Sequence, residues 1–197
     1  MSVDLETQLA RIRACRLCEA DMDRAPNPIL QASRSARVLV VGQAPGNLAD
    51  VSSKPFNDPS GDRLRDWMGI SAEQFYDPSR LAIIPMGFCF PGYDAKGGDR
   101  PPMKRCAETW RDSLIKLLPD IDLTLLIGGY AQAWHLGKRR KRNLTETVKA
   151  WRDYTDDRLF TLPHPSWRNT GWLKRNPWFE AEVLPALRKS VRSALSH

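Results

Sequence analysis

The chain has 197 residues, carries 30 Lys and Arg against 23 Asp and Glu for a formal net charge of +7, and is 42% hydrophobic. That length suits one domain with a full core, and the basic excess suits a polyanionic partner. No apolar run approaches the roughly 20 residues that cross a bilayer, and the opening segment MSVDLETQLARIRAC lacks the apolar core of a secretion signal. A cytoplasmic monomer with no membrane partner is therefore expected. In a reducing compartment its four cysteines are expected as ligands or buried thiols, not disulfides.

Residues Asp4 to Leu17 place Leu5, Leu9, Ile12 and Leu17 at helical spacing and predict a first helix, with Cys15 and Cys18 at its end. Asp21 to Ala36, with Pro26 and Pro28, reads as a loop. Val38 to Val41 is a short β-branched and aliphatic run closed by Gly42, the pattern of a central strand in an α/β sheet. Gly42, Pro45 and Gly46 then make a turn poor in side chains at the carboxyl end of that strand, where open α/β sheets bind ligands. A second turn, Pro55 to Asp62, brings an aromatic ring and a carboxylate ahead of a helix that starts over Leu64 to Met68, with Asp62 expected to cap it. Ser71 followed by Gln74 predicts another helix start.

Leu81 to Met86 predicts a second strand, Pro91 to Pro102 a Gly/Pro-rich loop, and Met103 to Leu118 a helix. Leu123 to Ile127 predicts a third strand, Gly128 to Leu136 a helix, and Leu144 to Tyr154 an amphipathic segment. A fourth strand, Leu159 to Leu162, ends at Pro163-His164-Pro165-Ser166, and a last helix runs from Pro177 to Leu195 with Asn176 as its N-cap. Alternating strands and helices predict a single three-layer α/β domain: a mainly parallel four-stranded sheet flanked by helices, with the turns at Gly42 and Pro163 on one edge.

The cysteines stand as Cys15-x2-Cys18, then Cys89, then Cys106. Thiolates bind zinc and iron–sulfur clusters, and a C-x2-C pair can put two of them on one centre. Buried apolar thiols at Cys89 and Cys106 are the alternative. Of three histidines, His164 lies between two prolines at a strand end, where routine packing has little use for it, and His135 sits in a helix and reads as structural.

Taken in order, CRLC, GQAPG, PFNDPSGDRL, the pair Cys89 and Cys106 around a Pro-rich loop, and HPSWRNTG resemble the uracil-DNA glycosylase superfamily. The resemblance spans Cys15 to about Gly171 and lies within the iron–sulfur branches, families 4 and 5, with a motif pattern nearest to family 5. It implies a structural 4Fe-4S cluster on Cys15, Cys18, Cys89 and Cys106, with zinc as the alternative. It implies excision of uracil, and of related deaminated bases, from DNA, leaving an abasic site.

The chemistry requires the base to leave the stack and be enclosed, with its departing charge stabilised. The resemblance makes Phe56 the stacking ring and His164 the donor to the departing base. Family 4 has Glu at the second place of GQAPG, where this chain has Gln43, a residue able to hold a water or the base. Gly42 and Ala44 then form a backbone wall without an acid. Asp58 is the carboxylate matching family 5, against a plain turn role before Pro59. The recognition Asn of family 4 corresponds to Pro85, which implies reading by backbone groups and a broader range of bases. Ser166 and Asn169 are expected near substrate, and Trp167 and Arg168 near DNA, in the loop the superfamily inserts into the minor groove. Lys138, Arg139 and Arg140 begin a basic run that either meets phosphates or is a solvated loop, and Lys174 and Arg175 are further phosphate candidates. A binding protein for damaged or single-stranded DNA, without cleavage, is the alternative function. A dinucleotide site is not expected, because GQAPG lacks the G-x-G-x-x-G spacing.

Overall fold

The computed structural model describes residues 4–196; His197 lies outside the described residues. The elements run α1 (Leu5–Arg13), β1 (Val38–Val41), α2 (Asn47–Ser52), α3 (Pro59–Met68), α4 (Ala72–Tyr76), β2 (Leu81–Ile83), α5 (Lys104–Ile115), β3 (Leu123–Ile127), α6 (Gly128–Leu136), α7 (Leu144–Lys149), β4 (Leu159–Leu162), α8 (Thr170–Arg175) and α9 (Leu184–Leu195). Four parallel strands form one sheet in the order β2-β1-β3-β4, with Val38 opposite both Leu81 and Leu123 and Leu125 opposite Phe160. The chain leaves β1 first toward β2 and then crosses to β3, so the carboxyl ends of the strands open a crevice at the centre of the sheet.

Alternation along β1 divides the core. Val38 and Val40 face Leu64, Trp67 and Met68 of α3 and Leu187 and Val191 of α9, whereas Leu39 and Val41 face Leu5, Leu9 and Ile12 of α1 and Ala107 and Leu114 of α5. Both faces of the strands are covered, which is why every residue of β1, β2 and β3 is buried.

Several boundaries differ from the sequence expectation for local reasons. The first helix stops at Arg13, with Asp4 as its N-cap accepting from the Thr7 amide. The second strand is regular only to Ile83, although the Ile84 and Met86 amides still donate to the Val40 and Gly42 carbonyls at 2.9 Å and keep the chain beside β1 up to the pocket. α2 is an unanticipated helix between the two turns. Asp58, not Asp62, caps α3: its carboxylate accepts from the Gly61 amide at 2.9 Å, while Asp62 pairs with Arg65. The segment after Lys149 continues as a 3-10 helix over Trp151–Asp157. The last helix begins as a π turn over Phe179–Val183, and the Asn176 side chain bonds Trp172 and Trp178 instead of capping it. Ser71 and Gln74 form the expected capping box.

Candidate functional site

A pocket opens at the carboxyl edge of the sheet, built from the turn after β1, the Pro55 to Ser60 segment, the end of β2, Asp99 from the loop before α5, and His164 after β4. It holds about 470 Å³ including space open to solvent, and its walls are mainly apolar, with Pro45, Ala49, Pro55, Ile83 and Pro85 among them. A few polar groups in a largely apolar concavity are the usual makeup of a small-ligand site.

Phe56 enters this pocket in an unusual conformation. Its φ is +52°, a left-handed value that a residue with a bulky side chain rarely adopts. Surrounding groups hold it there: its carbonyl accepts from the Tyr76 hydroxyl at 3.0 Å and from Arg65 Nη1 at 3.4 Å. A Cβ on Gly61 would lie only 1.8 Å from the same carbonyl oxygen, so the turn closes only over a glycine. The ring meets Phe75 edge-on at 6.1 Å between centroids, and a Cβ on Gly42 would lie 3.1 Å from its tip.

Asp58 divides its two oxygens between two tasks. Oδ1 accepts from the Gly61 amide at 2.9 Å and the Ser60 hydroxyl at 2.5 Å. Oδ2 lies 3.7 Å from the point where a Cβ on Gly46 would stand, on the pocket side. The helix start therefore fixes the carboxylate and leaves one oxygen for the pocket.

His164 has a defined tautomer. The Ser166 amide donates to Nδ1 at 3.2 Å, so in the neutral ring the proton sits on Nε2. Burial holds its pKa below the ordinary value, against the opposing charges of Asp58 and Asp99, which favours that neutral form at pH 7. The Asn169 side-chain amide donates to the His164 carbonyl at 2.7 Å, and Arg63 donates to the Ser166 carbonyl at 3.1 Å. These bonds pin the histidine loop to α3.

The expected residues divide accordingly. Gly42, Ala44, Phe56, Asp58 and His164 come together around the pocket. Gln43 does not line it: its amide donates to the Arg100 carbonyl at 3.3 Å and braces the Pro91 to Pro102 loop. Ser166 and Asn169 also lie outside the lining and act on His164 through the bonds above. Trp167 is 74% exposed, and Arg168 beside it reaches the Gly97 carbonyl at 3.0 Å, joining the histidine loop to the Pro91 to Pro102 loop. The basic run is elsewhere. α6 leads away from the carboxyl edge, and Arg139 pairs with Asp157 just before β4 begins, which puts Lys138, Arg139 and Arg140 at the opposite end of the sheet from the pocket.

Asp99 is the charged lining residue that sequence reasoning passed over, beside uncharged ones such as Ser60, Ala49 and Ile83. A lone carboxylate in a Gly/Pro-rich loop has no periodicity to mark it, and only the fold brings it to the mouth of the pocket.

A second cavity, of about 410 Å³ with its solvent-open part, is lined by all four cysteines, from the end of α1, the loop after β2 and the first turn of α5. None is in a disulfide. Burial pushes the Cys89 thiol up to about 12, helped by the neighbouring Cys106, and raises Cys106 to about 11. Against this, the Phe88 amide donates to Cys106 Sγ at 3.4 Å, a bond that favours a thiolate. Among the described residues no three His, Cys, Asp or Glu are grouped so as to hold a metal ion. Four thiols lining one cavity are the donor set that either a thiolate-held zinc or a 4Fe-4S group would use.

Arg111 stands on α5, the helix that carries Cys106, and bonds the backbone of the pocket wall. It is fully buried, and its Nη1 donates to the carbonyls of Ile84 at 2.9 Å and Pro85 at 3.0 Å, behind the pocket wall. Its Nη2 lies 2.9 Å from His135 Nε2. His135 is held down to about 3 by burial and by the Arg111 charge, so it accepts from the guanidinium as a neutral ring.

Comparison with known proteins bears on the pocket-bearing part of the chain. A solution NMR structure from Methanosarcina acetivorans, provisionally described as a uracil DNA glycosylase, shares 14% identity, with a TM-score of 0.47 over 83% of this chain and 98% of that one. At that level the likeness carries no argument about the site. The family model of the uracil DNA glycosylase superfamily matches residues 31–188, a span that includes the whole pocket and begins after Cys15 and Cys18. The chain belongs to the uracil DNA glycosylase superfamily.

Proposed function

We propose that this protein is a monofunctional DNA glycosylase that flips uracil, or a related deaminated base, into the pocket and hydrolyses its N-glycosidic bond, leaving an abasic site. The observation that carries this reading is the meeting of Phe56, Asp58 and His164 in one apolar pocket at the carboxyl edge of the sheet. The Phe56 ring offers a face for the extruded base. As the bond from C1′ to the base breaks, its electron pair leaves on the base, and the Nε2–H of His164 donates to the oxygen where that charge gathers. A water adds its oxygen to C1′ and gives its proton to Asp58 Oδ2, the oxygen not engaged by the helix start.

Pro85 puts no polar side chain against the base, and Arg111 occupies its carbonyl. This supports reading by other backbone groups and acceptance of hypoxanthine or xanthine beside uracil. Cys15, Cys18, Cys89 and Cys106 would hold a structural 4Fe-4S cluster that ties α1 to α5 and the sheet. Visible absorption with bound iron supports the cluster; a colourless protein with stoichiometric zinc refutes it.

The alternative is a protein that holds a damaged base without cleaving it. The N-cap role of Asp58 favours that alternative, since a capping carboxylate needs no catalytic reason to be there. The test uses single- and double-stranded DNA bearing one uracil, hypoxanthine or xanthine, followed by alkaline cleavage of abasic sites. Breaks that disappear with Asp58→Ala and fall with His164→Ala support hydrolysis. Tight binding with no breaks supports the alternative.

A further inference from the structure

The loop between the last two cysteines brings a second carboxylate to the pocket. Asp99 Oδ2 lies 4.0 Å from the point where a Cβ on Gly46 would stand, and Asp58 Oδ2 lies 3.7 Å from the same point. The backbone does not require glycine there, since Gly46 has a φ of −82°. What the missing side chain leaves is room for a methyl-sized group within 4.0 Å of two carboxylate oxygens, close to the size of one water.

The loop that carries Asp99 is braced on several sides. Tyr93 and Asp99 form an antiparallel bridge, and the Arg100 amide donates to the Gly92 carbonyl at 2.9 Å. Gln43 holds the Arg100 carbonyl, and Arg168 holds that of Gly97. Asp99 itself is exposed at the mouth of the pocket. With a base enclosed among Phe56, Ile83 and Pro85, the mouth is where its deoxyribose must lie.

We propose that Asp99 is a second catalytic carboxylate, facing Asp58 across the gap at Gly46, and that the pair holds the attacking water beside C1′. This rests on the glycosylase reading and deepens it. The bond between C1′ and the base breaks with its electron pair going to the base, and the sugar gains positive charge. The water oxygen bonds to C1′, its proton passes to Asp58 Oδ2, and the Asp99 carboxylate opposes the sugar's positive charge. A carboxylate serving only as rim would do the opposite of help, since it repels the DNA phosphates.

The test has two readouts. In single-turnover excision from a uracil duplex, Asp99→Asn is expected to slow release about 100-fold with normal thermal stability. Gly46→Ala, which keeps both charges and fills the gap with a methyl, is expected to slow release by about tenfold or more for want of the water. The second readout is binding to DNA carrying a cationic pyrrolidine abasic analogue or its neutral tetrahydrofuran counterpart. The wild-type protein should prefer the cation by about tenfold, and Asp99→Asn should lose that preference while keeping its affinity for the neutral analogue. An unchanged cation preference in Asp99→Asn overturns the proposal whether or not its activity falls, and so does a wild-type excision rate. If no base is released by the wild type but the cation preference still depends on Asp99, the glycosylase reading fails and the carboxylate pair stands.

Discussion

Replacing Gly61 by Ala tests how the pocket ring is held. The new methyl would lie 1.8 Å from the Phe56 carbonyl oxygen and 2.7 Å from its carbon, both backbone atoms, so no side-chain adjustment can relieve it. The turn must move, and the Tyr76 hydroxyl bond to that carbonyl, 3.0 Å long, goes with it. Overpacking of this kind costs about 1–3 kcal/mol, and the lost bond adds about 1 kcal/mol. Release of the left-handed strain at Phe56 offsets about 1–2 kcal/mol of this. The net, about 2 kcal/mol, predicts a Tm lower by about 4–8 °C in a chain of this size. Displacing the ring from the base should weaken stacking by about 1–3 kcal/mol, a fall in uracil release of about 10-fold to 100-fold. Gly69→Ala serves as the control, because Gly69 is a left-handed C-cap with φ of +68° whose added methyl meets only the flexible Arg188 side chain. It should lose stability and keep the release rate. A Gly61→Ala protein with wild-type Tm and wild-type release would refute the account of the turn.

Other consequences follow from the same contacts. Because His135 is neutral down to about 3 when folded but titrates near 6.5 when free, the unfolded chain takes up the extra proton, and stability falls as pH drops from 6.5 toward 3. The slope from this ring is at most about 1.4 kcal/mol per pH unit and less in practice because the ring is partly exposed; burial of His164 acts in the same direction. His135→Gln, whose amide oxygen can still accept from Arg111, should flatten the dependence of Tm on pH between 6.5 and 4, and an unaltered slope would count against it. Arg111→Met leaves the Ile84 and Pro85 carbonyls without a donor, so denaturant titration should read a loss of about 1–3 kcal/mol for each that stays dry. Neutralising Lys138, Arg139 and Arg140 together should change the salt dependence of DNA binding by less than about one phosphate contact, given their place at the far end of the sheet. Asn169→Ala, which removes the 2.7 Å bond to the His164 carbonyl, should lower uracil release by about tenfold with a Tm lower by only about 2–4 °C.

The sheet was legible because its strands are short apolar runs with turns at both ends. Val38–Val41, Leu123–Ile127 and Leu159–Leu162 fall where the runs lie, and burial on both faces explains why they show no polar alternation. The meeting of Gly42 with His164 followed from parallel order alone, since all four carboxyl ends share one edge. Side-chain partners were less legible. Asp58 and Asp62 both precede Leu64, where the apolar pattern of the helix begins, but the helix starts at Pro59, which makes Asp58 the cap and puts Asp62 in the first turn. Gln43 reads as a pocket residue until the neighbouring loop is in place to take its amide. Asp99 depends on a loop of seven residues folding back through the Tyr93 bridge, a contact with no trace in local hydropathy. The basic run admits either phosphate contact or a solvated loop, because charge along the chain does not say at which end of the sheet it will lie.

The most direct measurement is the amount of free base released from a uracil-bearing duplex by excess enzyme, read by mass spectrometry alongside the strand left behind. The account predicts one free uracil and one intact strand with an abasic site for each duplex, with both products lost in Asp58→Asn. A duplex that is bound tightly and recovered with its uracil still attached would contradict it.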